Sequence, residues 1–408
     1  MGPIGLYIHI PFCAAHCSYC HFVIDLARGE VQGRYVEAVE MEIEHWGSRL
    51  SHPDRRRVDT LYIGGGTPSW IPGSAIEKII QTVRNCFAVD EGAEITVEVN
   101  PDSLDAVKIR HYQEAGINRV SLGVQSFHDE ELKRLGRTHH AAEAESAIQQ
   151  VRQGGFDNIS VDLLAGLPGQ TVSHWERNFE RLAALQPEHV SLYLFDEDEE
   201  SVLGRKILRQ ASGPVEKMKP RPGGNLPDEE ELRRIYDFAL CELDRLGYEQ
   251  YEISNFARRT NPTNTPRSSL RSRHNLKYWN MEPYLGLGCA AHSFLLPRRW
   301  HNENSTEGYI QALFSENDPR REIEEITPAR LAEDAFIFGL RQIDGIQYRS
   351  LSDLLGREAG TLFRPIINPL LAEGWLIEQG DTLRLAPKTL LVSNEIFGRF
   401  LDAVPLET

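Results

Sequence analysis

The feature that most constrains this chain is a rhythm in its first half. Six short runs rich in apolar and β-branched residues recur there: GLYIHIPF (5–12), VDTLYIGGG (58–66), AEITVEVNP (93–101), NRVSLGVQS (118–126), NISVDLLAGLP (158–168) and EHVSLYLFD (188–196). Between them lie amphipathic stretches such as YVEAVEMEIEHW (35–46), AIEKIIQTVRNCF (75–87), AVKIRHYQEAG (106–116) and AESAIQQVRQGG (144–155). Strands alternating with helices of this length predict a parallel sheet joined by right-handed crossovers. Six units make an α/β fold of the incomplete (βα)6 barrel type. Each run ends in polar, Gly or Pro residues, and barrels gather their chemistry where strands end.

The first strand runs straight into a cluster of thiols. In YIHIPFCAAHCSYCHF (7–22), Cys13, Cys17 and Cys20 fall within eight residues, separated by small or polar side chains rather than by a core stripe. Disulfides are not expected, because Cys86, Cys241 and Cys289 are scattered singly and no secretory signal precedes the cysteines. Structural zinc closes with four ligands, and His9, His16 or His21 would complete such a set. An iron–sulfur cluster on three thiolates leaves one iron open to an outside ligand. Spacing alone leaves both readings standing.

The chain has 408 residues, enough for one large domain and one or two smaller ones. No apolar run reaches the length of a membrane span, which with reduced thiols predicts a cytoplasmic protein. Acidic residues outnumber basic ones 60 to 44, which excludes sequence-independent nucleic-acid binding as an expected function. The second half has a different texture. GRKILRQASGPVEKMKPRPGGNLP (204–227) reads as a flexible boundary, DEEELRRIYDFALCELDRLG (228–247) as a helix and YEQYEISNFAR (248–258) as a strand. RRTNPTNTPRSSLRSR (258–273) is a basic loop. Beyond residue 320, PARLAEDAFIFGLRQ (328–342), SLSDLLGREAG (350–360) and FRPIINPLLAEGWLIEQGDTLRLA (363–386) predict three helices and a β-hairpin like a winged helix, serving as a lid or docking domain. The expected partition is a barrel core over 1–200, an α+β extension over 201–318 and a winged-helix-like C-terminal domain over 319–408.

A CxxxCxxC loop after the first strand of a (βα)6 chain, followed in order by GGGTPS, EVNPDSL, RVSLGVQSF, LGRTHH and DLLAGLPGQT, resembles the radical S-adenosylmethionine (SAM) superfamily. Within it the motifs are similar to the branch that contains oxygen-independent coproporphyrinogen III oxidase and the heme chaperones. The resemblance implies a [4Fe-4S] cluster on Cys13, Cys17 and Cys20 with SAM on the open iron, and an electron donor if SAM is cleaved to its radical. It implies SAM contacts at Tyr7, Tyr19, Gly65, Gly66, Thr67, Glu98, Gln125, Arg137 and Asp162. Glycines admit close backbone approach, and the fork of Arg137 suits the methionyl carboxylate.

Two departures separate the branches. The oxidases of this family carry a further Cys two residues after the third, where this chain has Phe22, and a longer segment before the motif, where this chain has six residues before Tyr7. HNLKYW (274–279) matches an HNxxYW pattern associated with the chaperones, and the resemblance implies heme binding there, with His274 as a candidate ligand. One feature runs against the chaperone pattern, which usually reads CDF where this chain reads Cys20, His21, Phe22. Heme and a heme-accepting protein are the expected partners. The alternatives are oxidative decarboxylation of coproporphyrinogen III and radical chemistry on heme itself.

Overall fold

A computed structural model describes residues 2–50, 57–195, 201, 203–205, 226–260, 270–355 and 359–401. The six apolar runs become six parallel neighbours in sequence order: β1 (Ile4–Ile10), β2 (Arg57–Gly65), β3 (Ala88–Val99), β4 (Arg119–Gln125), β5 (Ile159–Ala165) and β6 (His189–Leu194). Both faces of these strands are covered, as β1 illustrates: Ile4, Leu6, Ile8 and Ile10 are at 1% exposure or less on one face, and Gly5 and His9 are buried on the other. Helices Glu30–Arg49, Gly73–Cys86, Ala106–Glu114, Ala141–Gln153 and Val172–Leu185 form the outer layer. Gly73–Cys86 shows why: its apolar Ile76, Ile79, Ile80 and Val83 recur at helical spacing and all are buried.

An open barrel sheet has two edges, and the second half of the chain covers both. On one side β7 (Tyr248–Glu252) and β8 (Asn255–Arg258) form a hairpin, with β8 antiparallel to β6. On the other, β9 (Tyr284–Leu287) pairs parallel with β1, and β10 (His292–Leu295), β11 (Arg298–Asn302) and β12 (Arg320–Glu325) follow antiparallel. The result is one mixed sheet of twelve strands. The outermost β12, RREIEE, is charged at five of its six positions, which blunts an exposed edge. The segment 248–258 is thus a hairpin rather than the single strand its composition suggests. The Ser254 N–H bonds to Glu252 Oε1 at 2.9 Å, and this local bond turns the chain.

The C-terminal part builds a second core. Helices Pro328–Gly339, Tyr348–Leu355 and Arg364–Ala372 pack with a small sheet of β13 (Ile346–Gln347), β15 (Thr382–Leu385) and β14 (Leu376–Gln379). Phe336, Phe363 and Phe400 meet at its centre, with ring centroids 4.4 to 5.8 Å apart. Met281 and Phe294 of the extension belong to the same apolar cluster. The expected boundary at 204–227 falls largely outside the described residues, as does part of the basic loop at 258–273. Among the described residues, no helix is long and apolar enough to cross a membrane.

Candidate functional site at the barrel mouth

The cysteine loop leaves β1 and is tied down at both ends. The Cys13 N–H bonds to Asp25 O at 3.0 Å and the Asp25 N–H to Pro11 O at 2.8 Å. His9 adds a clamp, its Nε2 lying 3.2 Å from Val23 O while Nδ1 faces the Tyr7 hydroxyl at 3.0 Å. Both ring nitrogens being engaged, His9 does not serve as a fourth metal ligand in this arrangement. The loop's middle is held by Ser18, whose N–H and Oγ donate to Leu135 O and Arg134 O, each at 2.9 Å.

Held this way, Cys13, Cys17 and Cys20 line one wall of a cavity of about 450 Å3 at the carboxyl ends of the strands. Cys13 Sγ lies 3.4 Å from Thr67 Oγ1. Burial pushes the Cys13 thiol up to about 11 and the Cys20 thiol upward as well, so thiolates at these positions call for a bound cation. Among the described residues, the groups whose donor atoms all lie within 4.8 Å of one another do not include the three cysteines. A single zinc with bonds of about 2.3 Å gathers its sulfurs more closely than that. A four-iron cluster places each thiolate on its own iron and suits the wider set.

The facing wall is made of strand ends. Gly65 has φ 116°, a left-handed conformation that favours glycine, and a Cβ on Gly66 would lie 2.6 Å from Pro11 O and 3.0 Å from Cys13 Sγ. Glu98 accepts from the Tyr62 hydroxyl at 2.7 Å and from the Gly65 N–H at 3.1 Å, and burial raises its carboxyl to about 7. Gln125, at φ 68°, ends β4 at the cavity, and Asp162 on β5 accepts from Ser121 Oγ at 3.3 Å while burial raises its carboxyl. Arg137 spans the space: Nη2 donates to Gly123 O at 2.6 Å and Asn100 Oδ1 at 2.8 Å, and Nη1 points to Cys17 Sγ at 3.7 Å. Its Nε is buried without a partner, an orphaned donor beside the cavity. Tyr19 and Thr67 complete the wall.

Two of the residues implied by the resemblance are not brought to this cavity. Tyr7 packs inside the barrel against Tyr62 and His274, with ring centroids 6.2 and 6.5 Å away. His274 sits on helix Arg273–Trp279, at the opposite end of the strands. It is 1% exposed; Nδ1 meets Thr60 Oγ1 at 2.9 Å and Nε2 meets the Tyr278 hydroxyl at 2.8 Å. Glu94 caps this short helix by accepting from the Arg273 and His274 N–H groups at 2.9 and 3.0 Å. Burial drives His274 down to about 3, so the imidazole is neutral, but neither nitrogen is free for iron. His274 here closes the barrel floor, with both ring nitrogens hydrogen-bonded to protein hydroxyls.

Sequence reading also missed residues. Asn100 links Arg137 to Thr67, its Nδ2 lying 3.3 Å from Thr67 Oγ1. Its signal was available, since it is the polar residue that ends the run EVNP. Tyr193, at the end of β6, also lines the cavity, but nothing in its local sequence distinguishes it from a core strand residue. Three spread thiols, a cradle without side chains and an orphaned guanidinium nitrogen fit a cluster with an open iron and a small ligand bearing a carboxylate.

The kinship of the chain agrees. Residues 7–182 match the radical SAM superfamily and residues 326–392 the HemN C-terminal domain. The heme chaperone HemW of Bacillus subtilis is 31% identical over 97% of this chain and 98% of that protein. The chain belongs to the HemW family of radical SAM proteins. The Escherichia coli HemW is likewise 31% identical, over 98% of this chain and 99% of that protein. Family membership implies SAM and a [4Fe-4S] cluster. The solved coproporphyrinogen III oxidase HemN of Escherichia coli, a radical SAM enzyme, shares the fold with a TM-score of 0.80 at 22% identity, covering 98% of this chain and 90% of that one.

Proposed function

We propose that this protein is a heme carrier that binds heme, holds a SAM-liganded [4Fe-4S] cluster and passes heme to an acceptor protein. The observation that carries the reading is end-to-end similarity to proteins named heme chaperones, across 97% and 98% of this chain. The site is in keeping with it. Phe22 stands 59% exposed at the rim of the cavity, where an oxidase would be expected to carry another thiol.

In this reading Cys13, Cys17 and Cys20 hold the cluster, and the pair of cofactors supplies one-electron chemistry when bound. The residues around it orient the ligand. The Arg137 guanidinium meets the methionyl carboxylate, and the Glu98 side faces the ammonium group across the Gly65–Gly66 backbone. Asp162, Gln125, Tyr19 and Thr67 border the ribose and adenine. The barrel core, extension and C-terminal domain divide at about residues 200 and 318 in this proposal, and the protein works in the cytoplasm with an electron donor if SAM is cleaved.

The test is anaerobic. Reconstituted protein is loaded with heme, mixed with an apo-heme protein, and separately given coproporphyrinogen III, SAM and reductant. The reading predicts that heme moves to the acceptor and that coproporphyrinogen III is returned unchanged. Sustained SAM-dependent release of carbon dioxide from coproporphyrinogen III would replace the carrier with an oxidase.

A further inference from the structure

Away from the mouth, a cluster of metal-ligating side chains stands on the outer side of the helical layer. Glu77 projects from helix Gly73–Cys86, and His111 and Glu114 from helix Ala106–Glu114. Both helices turn their apolar residues to the core, with Ile76, Ile80, Ile109 and Tyr112 all buried, so the three polar side chains meet along the outer seam. His111 and Glu114 are three residues apart, which puts them on one face of their helix. His111 Nδ1 lies 2.7 Å from Glu77 Oε2 and 4.0 Å from Glu114 Oε2. All three donor atoms lie within 4.8 Å of one another.

We propose that Glu77, His111 and Glu114 bind one divalent transition metal of the zinc type, with a fourth position open to water. One imidazole and two carboxylates form a donor set that zinc accepts at bonds of about 2.0–2.2 Å, and a tetrahedral ion with such bonds holds its donors roughly 3.4 Å apart. The observed 2.7 and 4.0 Å straddle that spacing, so small turns of the glutamate side chains seat the ion. A protonated ring alone explains less. Its single Nδ1–H serves one carboxylate, whereas two converge on that nitrogen and repel each other without a cation between them. The nitrogen ligand also selects against magnesium and calcium, which take oxygen.

The imidazole is held in place by packing. Gly73 sits one turn before Glu77, and a Cβ there would lie 3.0 Å from His111 Cβ and 3.1 Å from its Cδ2. The helices therefore close at Gly73, with the Cδ2 edge of the ring against it and Nδ1 turned to the carboxylates. Two neighbouring cations are directed to backbone carbonyls instead. Lys108 Nζ donates to Ser69 O at 2.6 Å and Ser103 O at 2.7 Å, and Arg84 Nη2 donates to Ala115 O at 3.1 Å. The two helices follow β2 and β3, whose ends carry Gly65 and Glu98 of the cavity wall. A bound ion clips these adjoining units together and stabilises the folded chain by mass action.

The experiment uses the full chain with its cluster reconstituted, so that iron occupies the three loop cysteines, dialysed anaerobically against low-micromolar zinc. Metal analysis is expected to find one zinc per chain beside the iron, retained in millimolar magnesium. Glu77→Gln and Glu114→Gln, which keep side-chain size, and His111→Ala are each expected to weaken zinc binding at least tenfold. Iron content and SAM binding should stay at the wild-type level in all three, which shows that the variants fold. Cys86→Ala and Cys241→Ala should retain the zinc, and X-ray absorption at the zinc edge should show nitrogen and oxygen ligands without sulfur. No zinc on the wild-type protein, wild-type affinity in all three variants, or sulfur in the ligand shell would overturn the site.

Discussion

The two ends of the barrel carry two short dense motifs, and the fold uses them in opposite ways. At the carboxyl ends of the strands, CAAHCSYC turns its thiols toward a cavity. At the amino ends, HNLKYW turns its imidazole inward, beside Gly5 of β1 and Thr60 of β2, and closes both nitrogens against protein hydroxyls. A motif's spacing identifies a ligand set when all the donors sit on one loop. It does not do so when the partners that decide the matter lie elsewhere in the chain.

The sharpest way to break this contrast is to remove ligands from the upper end. Ala at Cys13, Cys17 or Cys20 is expected to abolish an oxygen-labile iron–sulfur chromophore outright, whereas Ala at Cys86, Cys241 or Cys289 leaves it in place. Iron and sulfide analysis after anaerobic reconstitution reads the result, and stoichiometric zinc in their place would refute the assignment.

At the floor the expected loss is one of stability. His274→Ala leaves Thr60 Oγ1 and the Tyr278 hydroxyl without their shared partner inside the barrel. Each stranded buried group costs about 1–3 kcal/mol, so denaturant unfolding should show a loss of roughly 2–4 kcal/mol. The heme absorption spectrum of the variant should match wild type at temperatures where it remains folded. A changed Soret band would return His274 to the iron.

Arg137→Ala is expected to weaken SAM binding by about 1.5–3 kcal/mol, the range for a charged hydrogen-bond partner, with cluster content nearly unchanged. Calorimetry on the reconstituted protein measures it. The smallest effect comes from pH. Because burial raises Glu98 to about 7, its carboxyl is neutral below that value and charged above it. Attraction for an ammonium group therefore falls as pH drops through about 7, by up to roughly tenfold per unit. Glu98→Gln should flatten that dependence, and an unchanged slope would remove Glu98 from the ammonium site.

The same contrast explains what was legible in the sequence. The six strands and their order follow from local periodicity, and β1 to β6 stand where the apolar runs predicted. The cluster loop was legible because its three donors lie within eight residues. Glu98 and Gln125 stand at the ends of β3 and β4, where polar residues close the apolar runs, whereas Asp162 lies in the middle of β5 and Arg137 just beyond helix Asp129–Leu135, and these two came only from the resemblance. His274 was not legible. Its fate depends on Thr60 and on Glu94, which are 214 and 180 positions away, and no window along the chain contains them together. The surroundings of Tyr7 were hidden for a related reason: its ring lies beside the stacked pair of Tyr62 and His274, a contact set by register across strands rather than by neighbours in sequence. The strands that cover the barrel edges were equally hidden, because β9 is too short to declare itself and pairs with β1 from the far side of the chain.

The central claim is that three thiolates at the upper end leave one iron open for SAM. Mössbauer spectra of iron-labelled, anaerobically reconstituted protein test it most directly, recorded before and after SAM is added. The account predicts that SAM changes the signal of one iron in the cluster and leaves the other three unaltered, with Arg137→Ala needing more SAM to reach the same change. Spectra that do not respond to saturating SAM, or that respond equally at all four irons, would contradict it.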